Sequence, residues 1–333
     1  MANDATEIMV RCEGLTKVYG GEINALEDLD LAIPAGHIFG YIGHNGAGKT
    51  TTIRILAGLL KPTRGKARVA GVDVQSGREK IKSLVGYMPD HFGVYDQMRV
   101  WEYLDFFGAA FKIPRRQRRQ RLDHVLEIAE AEYMRDRFVD TLSRGMKQRV
   151  GIARTLMHDP KVLLLDEPAS GLDPRARVHM RQLLRRLADS GKTLLVSSHI
   201  LPELAAVCDS VGIIHQGRLR ACGEIDKVLS QLRRDRLMEL RAAAGLDAAA
   251  RVLAAHDGVL AADESDAKVD RTDAATGLLR FRFSGDDQGL AALLSDLMAA
   301  GVAVVTFREV PLSLEDAYMA LSGVAEPAAP AGA

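Results

Sequence analysis

From residue 8 onward the chain is laid out in short apolar blocks separated by glycines. Residues Ile8 to Ile33 predict two or three strands, with Gly14, Gly20 and Gly21 as turn points. Past Gly36, His37 to Ile42 reads as an apolar strand, and the helix after it carries Ile53, Leu56 and Leu60 at helical spacing. Between Val100 and Ala131 the period is again helical, with Leu122, Val125, Leu126 and Ala129 on one stripe. Two later runs, Lys161 to Asp166 and Thr193 to His199, are almost continuously apolar, as strands buried on both faces are. Helix-like segments alternate with them, which predicts an α/β core: a parallel sheet with helices on both sides.

Near Gly223 this texture gives way to alanine-rich segments. The predicted order beyond it is strand (Leu237 to Arg241), helix (Leu246 to His256), strand near Gly258, strand (Leu278 to Phe283), helix (Gln288 to Ala300) and strand (Val302 to Val310). That βαββαβ order suggests a small ferredoxin-like α+β module. The expected organisation is a first domain over 1–223, a linker over 224–234, a small domain over 235–322 and a disordered Pro/Ala tail over 323–333. A length of 333 residues, beyond what one core usually fills, agrees with two domains.

Charge narrows the partners. With 44 basic and 44 acidic residues the formal net charge is zero, so no global field favours nucleic acid, and none is expected as a partner. The basic run Arg115 to Arg121 has no interleaved aromatic and reads as a solvated helix face. Cys12, Cys208 and Cys222 form no CxxC pair and are expected to be small buried residues rather than ligands. The first residues lack a signal-peptide pattern, and the most apolar stretch, Leu290 to Phe307, contains Asp296 and Gly301, so it reads as a helix then a strand. A cytoplasmic location follows as the expectation, with any membrane association made through a partner.

The chemistry concentrates in Gly43-x4-Gly48-Lys49-Thr50, a P-loop pattern lying between a predicted strand and a predicted helix. Its glycines allow backbone N–H groups to close on phosphates at a helix N-terminus. Gly43, Asn45, Gly46, Ala47, Gly48, Lys49, Thr50 and Thr51 are therefore the expected ATP contacts. Lys49 would reach the β and γ phosphates, and the Thr50 hydroxyl would ligate Mg²⁺. At the end of the run Lys161 to Asp166, Asp166 is expected to hold the Mg²⁺ water shell and Glu167 to orient or deprotonate an attacking water.

Over residues 8 to about 223 the chain resembles the ATP-binding cassette (ABC) ATPases. Tyr19 matches the aromatic position that stacks on adenine, and Gly86-Tyr-Met-Pro-Asp90 matches the Q-loop. Leu142-Ser-Arg-Gly-Met-Lys-Gln148 matches the signature, Ser170-Gly-Leu-Asp173 the D-loop, and Ser198-His199 the switch histidine. The resemblance implies the P-loop ABC fold, with an antiparallel β subdomain and a helical subdomain over about 90–160. Asp90 stands where the family has Gln; it is still able to ligate Mg²⁺ directly or through water. Arg144 and Met146 replace the usual Gly and Gln of the signature, while Ser143 and Gly145 are retained.

In that family the signature serves the ATP of the opposite subunit. One P-loop and one signature therefore imply a head-to-tail dimer, with Ser143 and Gly145 facing the partner's nucleotide; Asp173 of the D-loop is also expected to contact nucleotide. Without a membrane span, the dimer is expected to drive a separate integral membrane permease from the cytoplasmic face. Phe106, Phe107 and Phe111 are either contacts for it or core of the helical region. The ending Pro311 to Tyr318 resembles the drug, antibiotic or polysaccharide exporter branch. The alternative is a soluble ABC ATPase of translation or DNA repair, although the paired cassettes or long coiled coil of those proteins are not seen.

Overall fold

The computed structural model describes residues 7–91, 93, 97–199, 204–232, 236–260, 270–273 and 277–310. The chain divides into two compact units, with the break between Val228 and Leu229. Pro311 to Tyr318 and the tail expected over 323–333 lie outside the described residues.

The first unit opens with β1 (Ile8–Tyr19) and β2 (Ile23–Pro34), an antiparallel pair. Gly14, expected at a turn, lies instead inside β1. Its φ of +55° and the register shift between Cys12 and Leu15 mark a bulge that the long strand runs through. β4 (Arg64–Val69) and β5 (Val72–Asp73) complete a sheet of order β2-β1-β4-β5.

The central sheet takes β3 (Ile38–Ile42), β6 (Val85–Met88), β7 (Val162–Asp166), β8 (Thr193–Ser198), β9 (Ser210–His215) and β10 (Arg218–Glu224) in the order β10-β9-β3-β8-β7-β6. All neighbours run parallel except β10, which folds back on β9 as an antiparallel edge. Every residue of β3, β7 and β8 is buried, which is why their sequences do not alternate. One apolar cluster joins both sheets: Val10, Leu15, Leu29 and Ile33 pack with Phe39, Tyr41, Leu164, Leu195 and Ile214.

Helix α1 (Lys49–Leu56) packs on β7, α2 (Arg78–Leu84) precedes β6, and α6 (Pro174–Asp189) lies against β3 and β8. Helices α3 (Val100–Ala110), α4 (Arg115–Ile128) and α5 (Arg144–Leu156) pack on one another. The arginines of 115–121 are more than a solvated face. Arg118 bonds Asp105 at 2.7 Å, and Arg121 caps α5 by donating to the Leu156 carbonyl at 2.6 Å. The cysteines divide similarly. Cys12 is buried, with its thiol pushed up to about 12 by that burial, whereas Cys222 is exposed on the edge strand β10, contrary to expectation.

The segment read as a linker over 224–234 contains a helix, α7 (Ile225–Leu232), whose Val228 is buried. In the second unit β11 (Arg236–Ala244), α8 (Leu246–Ala255), β12 (Val259–Leu260), β13 (Asp270–Asp273), β14 (Leu278–Phe283), α9 (Asp287–Ala299) and β15 (Ala303–Glu309) follow. Their antiparallel order is β12-β14-β11-β15, the ferredoxin-like plan. Both β12 and β13 pair with β14 on the edge away from β11, so the second strand of the plan comes in two pieces. Met238, Leu240, Phe281 and Phe283 meet Leu253, Leu293 and Leu297 of the helices in a separate core.

Candidate nucleotide site

β3 delivers the chain to the loop before α1, and two glycines make the turn. At Gly48, φ is +114° and a Cβ would stand 2.6 Å from the Ala25 carbonyl; at Gly43 a Cβ would stand 2.5 Å from the Ile214 carbonyl. Neither position accepts a side chain, so the loop closes as only glycine permits. Lys49, the first residue of α1, is 6% exposed and donates to the Gly43 carbonyl at 2.5 Å and the His44 carbonyl at 3.3 Å. Its side chain thus braces the loop it belongs to.

The parallel neighbours β7 and β8 supply the opposite wall. Their register sets Asp166 beside Ser197. The Ser197 hydroxyl donates to Asp166 Oδ1 at 2.6 Å and accepts from the Glu167 backbone N–H at 3.0 Å. Thr50 donates to Asp166 Oδ2 at 2.8 Å, which ties α1 to β7. Glu167 leaves the strand with φ of +52°, a left-handed conformation that non-glycine residues hold only where the surroundings enforce it. Its Oε2 bonds His199 Nδ1 at 2.8 Å, while Oε1 is buried without a hydrogen bond, 3.3 Å from Lys49 Nζ.

These walls enclose an open cleft of about 180 Å³ lined by Ala25, His44, Asn45, Gly46, Gly48, Lys49, Thr50, Thr51, Asp90, Asp166 and Glu167. Gly43 and Ala47 support it from behind, Gly43 through its carbonyl and Ala47 as a fully buried residue. The cleft can take an anion: backbone N–H groups and the start of α1 lie on one side with Lys49. It also offers hard oxygen donors in the Thr50 hydroxyl and the Asp166 carboxylate, which suit Mg²⁺ shared with phosphate and water. Among the described residues no group of three His, Cys, Asp or Glu is placed to hold a metal by itself.

Other expected residues stand apart from the cleft. Tyr19, at the end of β1, is 37% exposed with Lys17 Nζ 5.0 Å over its ring, and it does not line the cleft. Ser143 begins α5 as its N-cap, accepting from the Met146 N–H at 3.4 Å, and Asp173 caps α6 by accepting from the Ala176 N–H at 2.8 Å. Gly145 lies against that second helix start, where a Cβ would be 3.7 Å from Ala176. His44 and Ala25 on the cleft wall and Ser197 behind it were not among the expected site residues. His44 lies inside the P-loop pattern and was legible there. Ser197 was not, because its role depends on the β7–β8 register.

Comparison with known proteins fixes the family. A model for the family described as ABC transporter matches residues 26–170. The daunorubicin/doxorubicin resistance ATP-binding protein DrrA of Streptomyces peucetius is 34% identical over 315 residues, covering 94% of this chain and 92% of that protein. The chain belongs to the ABC transporter ATP-binding proteins. The bacitracin transport ATP-binding protein BcrA of Bacillus licheniformis is 40% identical to this ABC protein over 212 residues, 63% of this chain and 68% of BcrA. A dimeric ATP-binding cassette solved in a post-hydrolysis state with ADP and Pi superposes on it with a TM-score of 0.60 at 28% identity, over 65% of this chain and 99% of that one. This ABC protein is an ATPase, and cassettes like it are found as dimers. No helix among its described residues is long and apolar enough to cross a membrane.

Proposed function

We propose that the protein is the ATP-hydrolysing subunit of an exporter, working as a head-to-tail pair around two Mg-ATP and driving a separate integral membrane permease from the cytoplasmic side. The observation that carries the exporter reading is the match to DrrA, a resistance protein, over 94% of this chain, second unit included. BcrA, named for bacitracin transport, supports the transport reading.

In this reading the loop from Gly43 to Thr51 wraps the phosphates, with Asn45, Gly46 and Gly48 offering backbone N–H groups, while Ala47, whose N–H is on the His44 carbonyl at 3.1 Å, joins them by giving up that bond. Lys49 swings from its loop carbonyls toward the β and γ phosphates. Thr50 and Asp166 would hold Mg²⁺, with Asp90 reaching it directly or through water, and the ion would supply positive charge against that developing on the phosphate oxygens. Glu167 takes the proton of the attacking water as the new oxygen–phosphorus bond forms and the bond from the γ-phosphorus to the bridging oxygen breaks. His199, bonded to Glu167 Oε2, keeps that carboxylate aimed. Ser197 fixes Asp166 and Glu167 relative to each other. Tyr19 stacks on the adenine, and Ser143, Gly145 and Asp173 meet the nucleotide of the second copy. The surface of α3, where Trp101 and Phe106 are 37% and 45% exposed, is the face for the permease; Phe111 is also exposed but stacks on His158.

The test is affinity purification of the Glu167→Gln protein from detergent-solubilised native membranes with ATP present, followed by mass spectrometry. A multi-span membrane protein in the eluate is expected. Ribosomal or DNA-repair proteins with no membrane partner would overturn the transport reading and leave the ATPase intact.

A further inference from the structure

Two unusual residues of the chain meet in space. Asp90, on the wall of the nucleotide cleft just after β6, has its Oδ2 on His91 Nδ1 at 2.9 Å. Its Oδ1 is buried and has no hydrogen bond. Arg144, the first residue of α5, places a guanidinium nitrogen 3.8 Å from that Oδ1. The same guanidinium donates to Ser170 Oγ at 3.3 Å and lies flat on Gly171, where a Cβ would stand 2.7 Å from Arg144 Cζ. One side chain therefore touches the cleft wall, the start of α5 and the turn before α6.

The geometry is one step short of complete. A separation of 3.8 Å is an ion pair but not a hydrogen bond, and a shift of roughly 1 Å would turn it into one. A buried acceptor left without a donor is unfavourable, so that shift has a driving force. The pair is also half exposed, at 48% and 36%, which keeps it breakable. A triphosphate entering the cleft beside Asp90 adds negative charge to a wall that already carries a carboxylate, and the nearby cation is drawn inward.

We infer that Asp90 and Arg144 form an intrachain latch that tightens when nucleotide fills the cleft and carries α5 and the 170–171 turn with it, setting the face that meets the second copy. This rests on the head-to-tail dimer reading. The charged pair is one device: through the guanidinium at 144, the carboxylate on the cleft wall reaches α5. Gly171 is part of it, since any side chain there would displace Arg144.

The experiment is a double-mutant cycle in the full-length Glu167→Gln protein, reading ATP-dependent dimerisation by sedimentation velocity over a concentration series. Asp90→Asn and Arg144→Gln should each raise the concentration for half-dimerisation by about tenfold, and the double variant should also lie near tenfold because the same interaction is lost once. Circular dichroism melts of each variant check that folding is retained. A double variant weakened by about a hundredfold would show two independent contributions and overturn the latch. So would an Arg144→Gln protein that dimerises like its parent. A Glu167→Gln parent that stays monomeric with ATP would instead overturn the dimer reading itself.

Discussion

Glu167 in the first unit and Glu239 in the second are buried to nearly the same degree, with side chains 11% and 8% exposed, yet they are provided for in opposite ways. Glu239 sits mid-strand with Arg308 and Arg280 in register on the two flanking strands. Arg308 holds Oε1 at 2.7 and 2.9 Å, and Arg280 reaches Oε2 at 3.3 Å. The hydrogen bonds from Arg308 lead in holding its carboxyl below the usual glutamate range, ahead of the opposing effect of burial. Glu167 has left-handed backbone, one oxygen on a histidine and the other without a hydrogen bond beside a lysine. Burial alone does not separate structural from functional carboxylates. Saturation does: a carboxylate with both oxygens bonded to arginines is fixed, and one that lines a cleft with a buried oxygen held only by an ion pair is available for chemistry.

That contrast can be pressed from the Glu167 side first. Lys49→Ala removes the cation nearest the phosphates and leaves Glu167 buried without its ion-pair partner, so nucleotide affinity should fall by about a hundredfold or more. Titration with a fluorescent ATP analogue measures it. A smaller effect is expected from Ser197→Ala, which touches neither phosphate nor water but frees Asp166 and Glu167 from each other. Turnover should drop by about 10–100-fold, as for supporting residues of metal sites, with a clear loss in kcat at saturating ATP. If turnover were unchanged, the β7–β8 register would not matter to the site.

On the Glu239 side the effects should be on stability alone. Glu239→Gln removes the carboxylate charge and leaves one of the two arginines facing an NH2 that cannot accept its hydrogen bond; because both arginines are well exposed, the loss should be about 1 kcal/mol in the second unit. ATPase activity should stay at the parent level. The pH dependence has a definite sign: a carboxyl lowered in the folded state stabilises above its ordinary value of 4.5, and the contribution disappears as pH falls through the lowered one. The difference in melting temperature between parent and Glu239→Gln should therefore be full at pH 7 and shrink progressively in acid below that ordinary value. A difference independent of pH would mean that packing, not charge, holds Glu239.

The uneven legibility of the sequence follows from the same physics. Strands β3, β7 and β8 and the P-loop were legible because continuous apolar runs and glycine spacing are local signals. The order of the second unit was legible too, since its helices and strands alternate with clear periods. What escaped depended on register or close approach: Gly14 as a bulge, Ser197 opposite Asp166, and the arginines of α4 bonded to neighbouring carbonyls. The linker reading missed α7 because eight residues beside a composition change give too little periodicity to separate helix from connection.

The most direct test of the central claim sets Glu167→Gln against Glu239→Gln in otherwise identical protein and follows phosphate release at saturating Mg-ATP together with nucleotide binding. The account predicts that Glu167→Gln still binds ATP but releases phosphate about 10²–10⁴-fold more slowly, while Glu239→Gln keeps the parent rate. Hydrolysis at the parent rate by Glu167→Gln would contradict it, because the cleft carboxylate would then have no part in the chemistry.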